Sequence, residues 1–156
     1  MSITRPEAYR PNVGIFVLNA AGLILACERS DVANAWQIPQ GGIDPEELMQ
    51  NAMLRELEEE IGTRAVEILG SYPGAIRYEW PETLYSRGYR GQEQYYYLVR
   101  LDKSATLNFS SHTQEFSRSE WITSSEFLKR TNGFKADAYR KALLWFQESF
   151  PGLIAD

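Results

Sequence analysis

Three glutamates, Glu56, Glu59 and Glu60, recur at i, i+3 and i+4, and on a helix that spacing puts their carboxylates on neighbouring positions of one face. Two like charges about 4 Å apart cost on the order of 4 kcal/mol at an effective dielectric near 20, so something must neutralise them. Hard divalent cations such as Mg2+ or Mn2+ prefer carboxylate oxygens, and Mg2+ is commonly shared between one or two protein carboxylates and the phosphates of a substrate. The chemistry implied is a metal site for a phosphorylated ligand. A glutamate run is more often a solvated helix face, but this one has company. Arg55 stands at i, i+4 from Glu59, Gly41 and Gly42 precede the run in a turn, and Glu47 lies further up the same stretch.

The element that must position these acids is a helix with marked ends. Asp44 can serve as N-cap, Pro45 fits the first helical position, and Glu47 can reach back to the cap, while Gly62 supplies the stop. Met53, Leu54, Leu57 and Ile61 share an adjacent face, so the helix can dock on a core while presenting its acids to a cleft. Around it the chain alternates short elements. The run NVGIFVLN, 12–19, is continuously apolar and rich in β-branched residues, which predicts a strand covered on both faces. After a turn, 23–29 returns as its hairpin partner. Trp36, directly before the glycines, is expected to pack the helix against the sheet. Residues 65–72, 74–80, 93–101 and 117–123 read as strands, and 81–92 as a polar loop. Thr123 with Glu126 forms the pattern of a capping box for a helix over 124–131. A final helix runs from 136 to 150, and its stripe of Tyr139, Leu143, Phe146 and Phe150 reads as core rather than ligand site. Residues 1–11 are expected to form a flexible N-terminal arm. Mixed strands with one helix in the middle and another at the end predict a sheet sandwiched between helices, in one domain over 1–156.

Composition narrows the functional classes. A chain of 156 residues with 44% hydrophobic and 24% charged residues is ordinary for a globular protein and long enough to bury well over half of its unfolded surface. No apolar run approaches the roughly 20 residues needed to span a bilayer, and the first residues lack the apolar core of a signal peptide, so a cytoplasmic location and no membrane partner are expected. One cysteine, Cys27, and one histidine, His112, cannot build an internal disulfide or a His/Cys zinc cage. Sixteen Lys and Arg against 21 Asp and Glu give a net charge of −5, the wrong sign for coating nucleic acid, although the end of a nucleic acid could still be gripped locally.

At the helix the chain resembles the Nudix hydrolases. Their motif is Gly, five residues, Glu, seven residues, then Arg-Glu-apolar-x-Glu-Glu-x-Gly-apolar, and Gly41, Glu47, Arg55, Glu56, Leu57, Glu59, Glu60 and Gly62 stand at those spacings. Thr63, where an aliphatic residue is usual, is the one departure within the motif. Segments 9–14 (YRPNVG), 36–44 (WQIPQGGID), 91–98 (GQEQYYYL) and 134–139 (FKADAY) are similar to those of bacterial RNA pyrophosphohydrolases and asymmetric dinucleoside tetraphosphate hydrolases. Glu46 stands where this subgroup often has Gly; read as part of a first helical turn, it would suit the helix dipole.

The resemblance implies a Nudix α/β/α sandwich around a mixed β-sheet, and a metal-dependent pyrophosphohydrolase using Mg2+ or Mn2+. It implies that Glu56, Glu59 and Glu60 are metal ligands, with the carbonyl of Gly41 as a further one. Glu115 would complete the metal site or serve as base, a role equally open to Glu56. Glu47, Arg55 and Asp44 would support the motif's geometry. Arg10, Arg29, Tyr78, Phe134 and Lys135 are the candidates for substrate contact, the aromatic of the Phe-Lys pair stacking on a base. Two substrates fit: the 5′-triphosphorylated end of RNA, trimmed to a 5′-monophosphate, and a dinucleoside tetraphosphate such as diadenosine tetraphosphate. A catalytically dead module that only binds nucleotides is a third reading, against which the intact set of motif glutamates argues.

Overall fold

The structure is a computed structural model and describes residues 8–109 and 116–156. The long apolar run becomes the spine of the sheet. Strand β1 (Ala8–Leu18) pairs in parallel with β7 (Tyr89–Leu101) along its whole length, from Ala8 beside Tyr89 to Leu18 beside Arg100. On its other side β1 meets β2 (Ile24–Arg29), joined by a turn in which the Asn19 side chain accepts the N–H groups of Ala21 and Leu23. The remaining strands are β3 (Trp36–Gln37), β4 (Gln40–Gly42), β5 (Val66–Ser71), β6 (Ile76–Glu79) and β8 (Phe116–Ile122). The sheet runs β3-β2-β1-β7-β5, with β4 also on β1, β6 also on β7 and β8 also on β2. Every pairing except β1 with β7 is antiparallel, so the sheet is mixed.

Both faces are covered, as the continuous apolar run requires. Val13, Ile15 and Val17 of β1 point to one side, where Ala52, Met53, Leu57 and Ile61 of helix α1 (Met49–Ile61) close the core. Phe16 and Leu18 point to the other, against α2 (Ser124–Arg130) and α3 (Ala136–Ser149). Phe16 is the hub of that second core, meeting Phe127, Tyr139 and Phe146 edge-on at ring separations of 5.9 to 6.3 Å. The architecture is an α/β sandwich, helix layer on each face of a mixed sheet, and the stripe of α3 is core. The Thr123 hydroxyl caps α2 by accepting the N–H of Glu126 at 3.2 Å.

Four expectations need correction. Residues 8–11, assigned to a flexible arm, are the start of β1, because β7 also begins earlier than expected, at Tyr89, and the two edges pair. Trp36 does not pack α1 against the sheet: it belongs to the core under α2 and α3, with the guanidinium groups of Arg118 and Arg130 over its ring. Helix α1 begins at Met49, not at Pro45, and its N-cap position is Leu48 with no side-chain cap. Asp44 therefore caps nothing. Its carbonyl accepts the N–H of Glu47 at 3.0 Å in a turn, and Glu46 within that turn has φ 66°, a left-handed conformation that ends any helical path through it. This also inverts the expected meaning of Glu46. It is not a favourable first-turn acid but a side chain occupying a conformation that glycine adopts without strain.

The far end of α1 is as the sequence predicts. Gly62 terminates it with φ 79°, its N–H returning to the Glu58 carbonyl.

Candidate active site

The acids of α1 face a cleft of about 300 Å³ lined by Arg10, Asn12, Gln37, Gln40, Gly41, Gly42, Glu56, Glu59, Glu60 and Gln92. Its wall is the strand of small residues that precedes the helix. A Cβ on Gly41 would lie 1.9 Å from Cδ of Glu56, and one on Gly42 would lie 2.3 Å from Nη2 of Arg10. The two glycines thus let a carboxylate and a guanidinium lie directly on the backbone of β4.

Arg55 organises the acids. Its Nε and Nη2 donate to the two Glu47 oxygens, each at 2.9 Å, and Nη2 also reaches the Gly42 carbonyl at 2.9 Å. Nη1 donates to Glu56 at 2.8 Å and to Glu59 at 3.4 Å. One guanidinium therefore ties the turn before the helix to two of the three crowded carboxylates. The fork also holds the Glu47 carboxyl at a pKa of about 2, well below its ordinary value, and Glu47 completes its own set by accepting the Asp44 N–H at 3.1 Å. Asp44 contributes a more distant ion pair with Arg55, at 3.7 Å. Glu60 points the other way and accepts the backbone N–H of Gln40 at 3.0 Å.

Glu56, Glu59, Glu60 and the Gly41 backbone share one cleft and supply only hard oxygen donors, a set that suits a hard divalent cation. Among the described residues no three acidic side chains already converge into a cage. Arg55 holds both Glu56 and Glu59, the latter by the longer contact, and the Glu59 side chain is 42% exposed. Glu115 lies outside the described residues.

The sequence gives little warning of the amide network beneath these acids. Gln94 is fully buried, donates to Asn12 at 2.7 Å and to Gln40 at 2.9 Å, and accepts from the Tyr96 hydroxyl. Gln92, two residues earlier on β7, accepts the Tyr78 hydroxyl at 2.8 Å. Two glutamines at i, i+2 in an otherwise aromatic strand were the available signal: polar side chains on a covered face need partners.

The candidate substrate residues divide. Arg10 lies in the carboxylate cleft over Gly42. A second pocket, about 170 Å³, is lined by Arg29, Phe134 and Lys135 together with Trp36, Gln37 and Tyr139. Gln37 belongs to both hollows and accepts the Lys135 ammonium at 3.1 Å. Burial, reinforced by the nearby Arg29 charge, lowers the Lys135 pKa to about 8. Arg29 is forked onto Asp31 at 2.6 and 2.9 Å. Tyr78 is not a free contact surface. It is buried, and desolvation raises its hydroxyl's pKa far above the ordinary phenol value; what it offers is a backing for Phe134, ring centres 5.9 Å apart, while Phe134 itself is 38% exposed.

A family model described as the NUDIX domain matches residues 8–146. The chain belongs to the Nudix family. It is a Nudix hydrolase, and Nudix hydrolases generally use divalent metals. It is 40% identical over 146 residues to a protein of Campylobacter jejuni named RNA pyrophosphohydrolase, an alignment covering 90% of this chain and 94% of that one. A Helicobacter pylori protein of the same name is 41% identical over 148 residues, covering 90% and 95%. Among solved structures, the fold is similar to the E. coli dihydroneopterin triphosphate pyrophosphohydrolase, with a TM-score of 0.73, 17% identity and coverage of 92% of this chain and 99% of the other. It is also similar to a C. elegans Ap4A hydrolase in a binary complex, with a TM-score of 0.68, 19% identity and coverage of 90% and 99%. Among the described residues no helix is long and apolar enough to cross a membrane.

Proposed function

We propose that this Nudix hydrolase is an RNA pyrophosphohydrolase that removes pyrophosphate from 5′-triphosphorylated RNA and leaves a 5′-monophosphate. The observation that carries it is the near end-to-end similarity, about two residues in five, to proteins of that name. The site's geometry supports it: a carboxylate cleft for phosphates shares Gln37 with a neighbouring pocket that carries a half-exposed aromatic and a lysine, chemistry suited to a nucleotide. Such a substrate places the enzyme in the cytoplasm with the transcripts it trims.

Glu56, Glu59 and Glu60, with the Gly41 carbonyl, would hold Mg2+ or Mn2+, which when bound offsets phosphate charge and makes water a better nucleophile at neutral pH. The rest is done by side chains. Arg55 keeps Glu47, Glu56 and Glu59 in register; Arg10 in the cleft and Lys135, bonded to the shared Gln37, offer cations to the phosphate chain. Phe134, backed by Tyr78, stacks on a base, and Arg29 borders the same pocket. A carboxylate, Glu56 or Glu115, takes the proton from water as its oxygen attacks phosphorus. The anhydride bond then breaks and pyrophosphate leaves, its charge compensated from the cleft.

The test offers the purified protein triphosphorylated RNA and diadenosine tetraphosphate in parallel, with Mg2+ and with Mn2+. The expected result is a higher kcat/KM on RNA and no turnover in chelator. A preference for the dinucleotide would overturn the substrate assignment, and hydrolysis of neither would overturn both substrate readings.

A further inference from the structure

Four of the residues that line the carboxylate cleft are side-chain amides: Asn12, Gln37, Gln40 and Gln92. An amide can turn either end to a ligand, the NH2 group as donor or the carbonyl oxygen as acceptor, and its bonding partners tell the two ends apart. In all four the oxygen is already taken. Gln94 Nε2 donates to Asn12 at 2.7 Å and to Gln40 at 2.9 Å, the Tyr78 hydroxyl donates to Gln92 at 2.8 Å, and the Lys135 ammonium donates to Gln37 at 3.1 Å. Among the described residues none of the four amide nitrogens bonds a protein group, and none is sealed from solvent. The cleft therefore meets a wall of NH2 donors beside its carboxylates.

Gln94 sets half of this wall from behind it. It stands beside Asn12 in the β1–β7 ladder, is fully buried and does not line the cleft. One hydrogen of its NH2 group goes to Asn12 and the other to Gln40, and its own oxygen accepts the Tyr96 hydroxyl. Burial, the largest influence on Tyr96, raises its phenol well above the ordinary value and keeps it a donor. A reversed Gln94 would set its oxygen against two other carbonyl oxygens, so the Asn12, Gln40 and Gln94 amides turn together or not at all. Gln40 also joins the two sides of the site, because its backbone N–H donates to Glu60 at 3.0 Å while its side chain answers to Gln94.

We propose that Gln94, fixed by Tyr96, is a positioning residue for hydrolysis, turning Asn12 and Gln40 so that their NH2 groups receive oxygen atoms of the substrate's phosphates. This rests on the carboxylate cleft holding phosphates, which RNA and dinucleotide substrates share, and not on the choice between them. Charge favours neutral donors here. An NH2 group binds a phosphate oxygen without repelling the divalent cation that Glu56, Glu59 and Glu60 would hold, as a further lysine or arginine would. The oxygen end of the same amide would repel the phosphate, so orientation decides whether Asn12 and Gln40 help or hinder.

The experiment follows the side-chain NH2 signals of the isotope-labelled chain by NMR while inorganic pyrophosphate is added in Mg2+, alongside kcat and KM on triphosphorylated RNA and on diadenosine tetraphosphate. In the wild-type protein the Asn12 and Gln40 NH2 signals are expected to shift as pyrophosphate saturates. Tyr96→Phe removes only the hydroxyl and leaves the ring in the core; Gln94→Met keeps the bulk and removes the amide. Each is expected to weaken pyrophosphate binding by about tenfold, the worth of one or two neutral hydrogen bonds, with the backbone signals of α1 in their wild-type positions. Wild-type Asn12 and Gln40 signals unmoved by saturating pyrophosphate would overturn the inference while leaving hydrolysis standing, and that titration decides it even where neither variant folds. A folded Tyr96→Phe protein that binds pyrophosphate as tightly as wild type would overturn it too. Turnover of neither substrate, with no pyrophosphate bound, would instead remove the phosphate cleft and the role of Gln94 with it.

Discussion

The carboxylate cleft and the nucleotide pocket are neighbours built on opposite principles. The acids of the cleft are local: Glu47, Arg55, Glu56, Glu59 and Glu60 come from one turn and one helix, and a single guanidinium holds most of them, while Arg10 and Asn12 of β1 and Gln92 of β7 only complete the walls. The pocket is assembled from distant pieces, Arg29 and Trp36 from around β3, Phe134 and Lys135 from the approach to α3, with Tyr78 on β6 behind. Chemistry that needs several charges at fixed separations is served by consecutive turns of one rigid helix. Recognition of a flat base needs walls on more than one side, and those come only from tertiary packing.

If that division of labour holds, variants on the two sides should fail differently. The largest effect is expected from Glu60→Gln, which removes a charge but keeps the shape: kcat should fall on the order of a thousandfold, with KM little changed. Steady-state kinetics on triphosphorylated RNA decides it, and near-normal turnover would remove Glu60 from the metal site. Phe134→Ala should do the reverse, raising KM by about tenfold with a smaller effect on kcat, because stacking is worth roughly 1 to 3 kcal/mol. A kcat defect as large as that of Glu60→Gln would break the comparison.

Lys135 sharpens it through pH. Its folded pKa of about 8 means the ammonium is present below that pH and lost above it, so kcat/KM should decline by up to about tenfold as pH rises through 8. In Lys135→Arg the decline should move to higher pH; a profile unchanged by this substitution would show that another group titrates there. The smallest effect is expected from Glu46→Gly. Relieving a left-handed non-glycine residue gains about 1 to 2 kcal/mol, and the added freedom of the unfolded chain takes back part of it, so thermal melting should rise by about 1 to 3 °C with kcat unchanged. A lower melting temperature would mean that the φ of 66° costs less than the unfolded-chain freedom that glycine adds.

The same contrast explains what could be read before the structure. The helix, its stop at Gly62, its apolar face and the grouping of Glu56, Glu59 and Glu60 all depend on spacings within one element, where periodicity is a direct guide. The long strands were legible for the same reason. The start of the helix was not: Asp44, Pro45 and Glu47 satisfy the local pattern of a capped first turn, but Arg55 draws the Glu47 carboxylate and the Gly42 carbonyl onto the helix face, and the chain turns through Glu46 instead. Trp36 packs on the face away from α1, and local order does not determine which face of a sheet a two-residue strand presents to which helix. Phe134 and Lys135 drew attention only through resemblance, and the amide floor of Asn12, Gln40 and Gln94 joins three segments that no local spacing relates.

The parallel pairing of β1 and β7 has a kinetic consequence. The hydrogen bond from Gln94 to Asn12 spans 82 residues of chain, and the whole β1–β7 ladder closes a loop of similar length. Closing so long a loop is entropically costly and slow, so contacts of this kind form after the local helices and hairpins. During synthesis the Nudix motif is complete, and its helix can form, before Tyr89 has been added. Until β7 arrives the acids of α1 lack Gln92 and Gln94, and the carboxylate cleft is completed in the step that joins β7 to β1.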